Sequence, residues 1–242
     1  MIETFGAKGT RVAPRPLVTA MKPEVPQPGA FIKNYLEMMA GPAIFQLGIP
    51  TMEGFPEQLF ARARSSNLLK TGSFSSMVYP DPRGEFELRR EVAGYLSISR
   101  NFHCFPEQVF ITSGYSSGLG LVLRVLGLDH RKVWMEEPGF FLTRKGLELA
   151  RLNIVPVPVD AEGLNVDYGI ENAADAALVV VTPGQQAPLG TTLSLRRRLQ
   201  LLEWATANDA WIVEDDYLSE LQLEGRPAPA LASLDLSLIH IS

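Results

Sequence analysis

The run Trp211-Ile-Val-Glu-Asp-Asp-Tyr217 sets three consecutive carboxylates and a phenol directly after a short apolar stretch. Trp211 to Glu214 have the pattern of a buried strand, with turn and charge chemistry beginning at Asp215. In open α/β sheets ligands lie just beyond the carboxyl ends of strands, so these residues mark a candidate site edge. A carboxylate there can keep a pyridinium-type nitrogen protonated, which makes a flat ring an electron sink, and a neighbouring phenol can donate to a ring hydroxylate. The same residue types also serve as helix caps or metal ligands, and on these residues alone all three roles stay open.

Other loops offer complementary chemistry. Phe110-Ile-Thr-Ser-Gly-Tyr-Ser-Ser-Gly118 has the form of a strand passing through glycine into a helix. Such a turn presents unpaired backbone N–H groups at the positive end of a helix dipole, with the hydroxyls of Ser113, Tyr115, Ser116 and Ser117 beside them, and can cradle a phosphate. It lacks the lysine of a Walker A loop, which disfavours nucleotide hydrolysis, and a serine-capped helix without a ligand is the alternative. Glu136-Glu-Pro-Gly-Phe-Phe141 ends another strand, where an aromatic after a rigid Pro-Gly turn can cover a flat ring or fill the core. Thr182-Pro-Gly-Gln-Gln-Ala-Pro-Leu-Gly190 is turn-rich, and Tyr79-Pro-Asp-Pro-Arg-Gly84 is a stiff turn before a helix.

The elements that must position these loops alternate. Strand patterns at 109–112, 133–136, 154–157, 178–182 and 211–214 are interleaved with helical ones at 85–99, 116–126 and 194–208. That order predicts an α/β domain of three layers with a mainly parallel sheet and right-handed crossovers. The apolar spacing predicts helix faces of Leu88, Val92, Tyr95, Leu96 and Ser99, then Leu119, Val122, Leu123 and Leu126, then Leu195, Leu199, Leu202 and Ala205. Ser194 is expected to cap the last of these helices.

At 242 residues and 46% hydrophobic content the chain can bury a sizeable core in one or two domains. No apolar stretch reaches about 18 residues and the start is not secretory, so no membrane partner is indicated and the cytoplasm is the default location. Cys104 has no second thiol to pair with, and His103, His130 and His240 lack metal-ligand spacing. A net charge of −5 argues against nucleic-acid binding by this stretch itself. Arg196-Arg197-Arg198 is expected on the solvated side of its helix. Lys145, in Leu142-Thr-Arg-Lys-Gly146, is expected as a solvated lysine at a helix start.

Both ends differ from the middle. Residues 1–13 include Gly6-Ala-Lys-Gly-Thr-Arg-Val-Ala13, a glycine-flanked hairpin pattern, with a disordered leader as the other reading. Residues 14–44 begin with a proline-rich linker. Residues 236–242, Leu-Ser-Leu-Ile-His-Ile-Ser, follow a polar loop as an unexplained half-strand and read as a tail foreign to the protein.

In order, these blocks resemble the fold-type I aminotransferases and, within them, the aminotransferase-like domain of MocR regulators of the GntR family. The likeness spans about residues 45–235 and is carried by Tyr79-x-Asp-x-x-Gly84, Ile111-Thr-Ser-Gly114, Glu137-Pro-Gly-Phe140, Thr182-Pro183 with Pro188-Leu-Gly190, and Glu214-Asp-Asp-Tyr-x-Ser-Glu220. The hairpin then resembles the remnant of a winged helix-turn-helix wing. The resemblance implies pyridoxal 5′-phosphate as cofactor, with Gly114, Tyr115 and Ser116 on its phosphate, Phe140 stacked on its ring, Asp215 on the pyridinium nitrogen and Tyr217 on the ring hydroxyl. It implies that Tyr79 reaches the phosphate of a neighbouring subunit in a homodimer and that Gly48 lies near the substrate carboxylate. Where many aminotransferases have asparagine this chain has Ala187, so Gln186 is the candidate for the ring oxygen. The Schiff-base lysine and the smaller domain of the family fall beyond Ser242 in this comparison, and the chain by itself is expected to be inactive. Two functions follow: part of a regulator that senses the cofactor or a small amino compound and contacts DNA through a separate N-terminal domain, or part of a catalytic class I/II aminotransferase moving amino groups between amino acids and 2-oxo acids.

Overall fold

A computed structural model describes residues 2–12, 27–38, 53–70, 79–218 and 229–234. The chain forms two compact units, Met1–Phe55 and Pro56–Ser242. In the first, β1 (Ile2–Thr4) and β2 (Thr10–Val12) pair antiparallel with Ile2 opposite Val12. The 3-10 turn Gly6–Lys8 joins them, and Gly9, at φ 87°, closes it in a conformation that disfavours any side chain. The glycine-flanked pattern therefore does form a hairpin. Helix α1 (Ala30–Met38) follows; residues 13–26, which hold most of the proline-rich stretch, Gly48 and residues 236–242 lie outside the described residues.

The second unit runs α2 (Glu57–Lys70), α3 (Phe86–Ser99), α4 (Tyr115–Leu126), β3 (Lys132–Glu137), α5 (Phe141–Leu149), β4 (Asn153–Asp160), β5 (Gly163–Leu164), α6 (Val166–Ala173), β6 (Leu178–Val181), α7 (Leu195–Asn208), β7 (Trp211–Glu214) and α8 (Leu231–Leu234). Its sheet has the order β5-β4-β3-β6-β7, parallel throughout except for the antiparallel edge pair β4–β5. Strand pleating sorts the core into two faces. Trp134, Val179 and Val181 pack with Val166, Leu201 and Trp204 on the side of α6 and α7. Val133, Met135, Leu178 and Val180 pack with Leu119, Leu123 and Leu147 on the side of α4 and α5. Helices thus cover a buried parallel sheet on both faces, the arrangement the alternation predicts.

The centre of the first face is a stacked pair of indoles. Trp134 and Trp204 lie 3.8 Å apart at 20°, and each N–H donates to a backbone carbonyl, of Ala173 at 2.9 Å and of Ala174 at 3.1 Å. Gly169 allows α6 to approach, since a Cβ there would stand 2.9 Å from the Trp134 ring.

Three expectations are corrected. Residues 109–112 form no strand; among the described residues they find no ladder partner, and the Ile111 N–H donates instead to the Arg83 carbonyl at 2.8 Å. On α7 the buried face carries Arg197, Arg198, Leu201, Trp204 and Ala205, while Leu195 and Leu199 are exposed. The arginine run is therefore solvated only at Arg196. Arg197 is drawn inside by a bidentate pair with Asp160 (2.6 and 2.7 Å) and the Gly163 carbonyl. Arg198 donates to the carbonyls of Leu193, Pro183 and Pro229, which satisfies its guanidinium, whereas the Arg197 Nε finds no acceptor among the described residues. On α3 and α4 the buried positions narrow to Arg89 and Ala93, and to Leu119 and Leu123, with Leu88, Tyr95 and Val122 exposed. Ser194 caps α7 as expected, accepting from the Arg197 N–H.

Candidate functional site

The carboxyl ends of β3, β6 and β7 open onto the loops that begin at Pro138, Thr182 and Asp215. Asp215 is anchored by its N–H, which donates to the Val181 carbonyl at 2.9 Å and continues the β6–β7 ladder by one residue. Its carboxylate has no hydrogen-bonding or cationic side chain against it among the described residues. Burial, and then the charge of Asp216, push it up to about 6 from an ordinary 3.8. An unpartnered, desolvated carboxylate at a sheet edge is the group that a protonated ring nitrogen would satisfy.

Its neighbours in sequence are both engaged. Glu214 accepts the Leu231 N–H at 3.1 and 3.0 Å, tying β7 to α8, and burial raises its pKa. Asp216 pairs with the buried Arg100 just after α3, at 2.5 Å. Tyr217 is partly exposed next to them.

Through Tyr115, the start of α4 lies within electrostatic range of Asp215. The N-cap of α4 is Gly114, at φ 97°, and among the described residues no side chain caps the helix or accepts from the first-turn N–H groups of Tyr115 and Ser116. The Tyr115 hydroxyl shares a 2.7 Å hydrogen bond with Thr143 of α5. Burial lifts the Tyr115 phenol to about 12, with Asp215 and Glu136 adding to the rise. Phe140 caps the Pro-Gly turn, its ring edge-on to Tyr115 at 6.1 Å and to Phe141 at 5.2 Å. The turn is tight: a Cβ on Gly139 would run into the Glu136 carbonyl.

The structure brings together Tyr115, Phe140 and Asp215, with Gly114, Ser116 and Tyr217 beside them in the chain. It places Gln186 differently. That side chain is buried and both ends of its amide are taken: the nitrogen donates to the carbonyls of Pro138 and Ala187, each at 2.8 Å, and the oxygen accepts the Leu189 N–H. Tyr79 is fully exposed at the head of its turn. That turn is pinned by Asp81, which accepts from Arg83 and from the buried Arg89; the hydrogen bonds from Arg83 hold Asp81 down to about 2. Arg89 also reaches the Gly84 and Pro106 carbonyls. Lys145 lies within α5 rather than at its start and pairs with Glu148, and Lys132 pairs with Asp175 at the far end of the sheet.

Two residues escaped the sequence reading. Glu136, nearly inaccessible at the end of β3, accepts from the Thr182 N–H at 3.1 Å and from Gln186 at 3.3 Å. Burial pushes it up to about 7 from an ordinary 4.5, against those hydrogen bonds. An acidic residue closing an apolar strand was its only local signal. Arg100 had none, because its partner lies 116 residues away.

Glu136 gives stability a pH dependence of definite sign. The folded state holds its proton more tightly than the unfolded chain, so its contribution is full below about 4.5 and is lost as pH rises through about 7. Asp215 acts in the same direction, but its window closes near 6. Urea unfolding of the wild type should therefore show a midpoint that still falls between pH 6 and 8, and Glu136→Gln should flatten that segment. An unchanged slope would remove Glu136 as its source.

The second unit is thus a three-layer α/β domain whose loops converge beyond the carboxyl ends of parallel strands, the place where ligands bind in folds of this class. Residues 50–234 match the family described as Aminotransferase class I and II, and the chain belongs to it. It is 44% identical over 152 residues to the uncharacterized HTH-type transcriptional regulator YdeL of Bacillus subtilis, covering 63% of this chain and 32% of that protein. It is 37% identical over 197 residues to the probable rhizopine catabolism regulatory protein MocR of Rhizobium meliloti, covering 80% of this chain and 38% of that one. The chain thus spans about a third of the length of these relatives. Among solved structures it resembles LysN, an alpha-aminoadipate aminotransferase of Thermus thermophilus complexed with N-(5′-phosphopyridoxyl)-L-leucine. That likeness has a TM-score of 0.69 and 28% identity, and covers 77% of this chain and 47% of that one. Among the described residues no helix is long and apolar enough to cross a membrane.

Proposed function

We propose that the second unit is the pyridoxal 5′-phosphate-binding, aminotransferase-like part of a cytoplasmic MocR/GntR-type transcriptional regulator. The observation that carries the cofactor is Asp215, a desolvated carboxylate without a side-chain partner among the described residues, within electrostatic range of Tyr115 in the first turn of α4. Asp215 would hold the ring nitrogen, the Tyr115 and Ser116 N–H groups the phosphate, Phe140 one ring face, and Tyr217 the ring hydroxyl. When bound, the cofactor supplies an electron sink; the residues of this chain bind it, orient it and keep its nitrogen protonated. Gln186 serves the site by holding the loop after Thr182 in shape. Tyr79 would act across a homodimer.

The regulatory half of the reading rests on YdeL and MocR, both named as regulators. In the whole protein a separate N-terminal domain would carry DNA contacts, the hairpin of β1 and β2 being the end of its wing, and a small amino compound would act as effector. A catalytic aminotransferase is the second reading, favoured by the likeness to LysN.

Titration of the 242-residue chain with pyridoxal 5′-phosphate in equilibrium dialysis should give saturable, one-to-one binding. Borohydride treatment should leave no phosphopyridoxyl group on Lys132 or Lys145, whose amines are ion-paired. Absence of binding would sink the cofactor reading. For the whole protein, DNA affinity in a mobility-shift assay should change with cofactor or amino compound; DNA affinity indifferent to both, together with steady transamination, would decide for the enzyme.

A further inference from the structure

Three carboxylates follow one another at the end of β7, and the fold disposes of them unequally. Glu214 is engaged by the backbone of α8 and Asp216 by Arg100, whereas Asp215 faces the site without a partner among the described residues. Arg100 is 4% exposed, and its pairing with Asp216 spans 116 residues from the end of α3 to the end of β7. A guanidinium so deeply placed offers more than surface attraction, because it fixes both the direction and the charge of the carboxylate it holds.

We propose that Arg100 is a positioning residue of the cofactor site, which engages Asp216 so that Asp215 alone is left to hold a protonated ring nitrogen. This rests on the cofactor reading above. Two effects combine. Held by Arg100, Asp216 cannot swing in to compete for the ring nitrogen. With its charge balanced, Asp216 also repels the Asp215 charge less, so Asp215 stays ionised to lower pH. The charged groups around the pair come from every packed element. Glu136 from β3 and Tyr115 from α4 face Asp215; Arg198 from α7 and Glu214 lie in range of Asp216 and of each other.

The test is the pH dependence of pyridoxal 5′-phosphate binding to the 242-residue chain, by equilibrium dialysis between pH 5 and 8.5, with folding checked by far-UV circular dichroism. Titration of the cofactor's own phosphate is common to all variants and cancels between them. Wild-type affinity should fall as pH drops through about 6, where Asp215 takes up its proton. Arg100→Met should move that fall to higher pH by about one unit, weakening binding roughly twofold at pH 7 and close to tenfold at about pH 5. Asp216→Asn should move it to lower pH, and the double variant should return toward wild type. If Arg100→Met does not fold, Asp216→Asn decides alone. Weaker binding with an unmoved midpoint in both single variants would make Arg100 a mere anchor for α3 and overturn the proposal. Failure of the wild type to bind at any pH would instead sink the cofactor reading, and this inference with it.

Discussion

Asp215→Ala should weaken pyridoxal 5′-phosphate binding by roughly 10- to 100-fold, the worth of about 1.5–3 kcal/mol for a hydrogen bond to a charged group. Asp215→Asn should lose nearly as much, because the amide keeps the shape but not the charge that holds a ring nitrogen protonated. The same substitution should leave the fold more stable at pH 7. Asp215 is desolvated and repelled by Asp216, so its ionised form is a cost to the empty protein. Opposite signs in the two measurements, dialysis for binding and urea unfolding for stability, are the signature of a group kept for a ligand. An Asp215→Asn variant that binds as the wild type does, or unfolds more easily, would contradict this role.

Trp134→Ala should cost about 3–5 kcal/mol in urea unfolding, the range for deleting a buried large aromatic. Trp134 is fully buried in the central strand, stacks on Trp204, and its N–H satisfies the Ala173 carbonyl. Its removal opens a cavity between sheet and α6–α7 and strands that carbonyl at once. Trp134→Phe should cost less, since it keeps an aromatic face against Trp204 and loses the hydrogen bond. A loss below about 1 kcal/mol for the alanine variant would mean that α6 closes the gap, for which Gly169 leaves the backbone adjacent.

How much was legible follows from where each signal is written. The strands at 133–136, 178–182 and 211–214 were readable to within about a residue at each end because helices cover the sheet, so their apolar runs are short and continuous. Residues 109–112 have the same composition without a neighbour to pair with, and β-propensity describes a fit to such a neighbour rather than a backbone preference. On α7, apolar spacing pointed to Leu195 and Leu199, whereas the helix buries Arg197 and Arg198. Their partners, Asp160, Gly163, Pro183 and Pro229, sit mostly far away in the chain, and no window around the helix contains them. The site divides in the same way. Asp215 announced itself by ending a strand and Gly114 by opening a helix. Arg100, Glu136 and the inward turn of Gln186 depend on contacts made only after folding.

Arg198 differs in kind from the acidic groups near it. It bonds three carbonyls, of Leu193, Pro183 and Pro229, and guanidinium keeps its proton at any pH a cell reaches. Glu136 and Asp215 change charge close to neutrality, while the bracket that sets the loop between them does not. Acidification should therefore alter what these strand ends attract without altering their outline, so that the site keeps one mould and changes only its polarity.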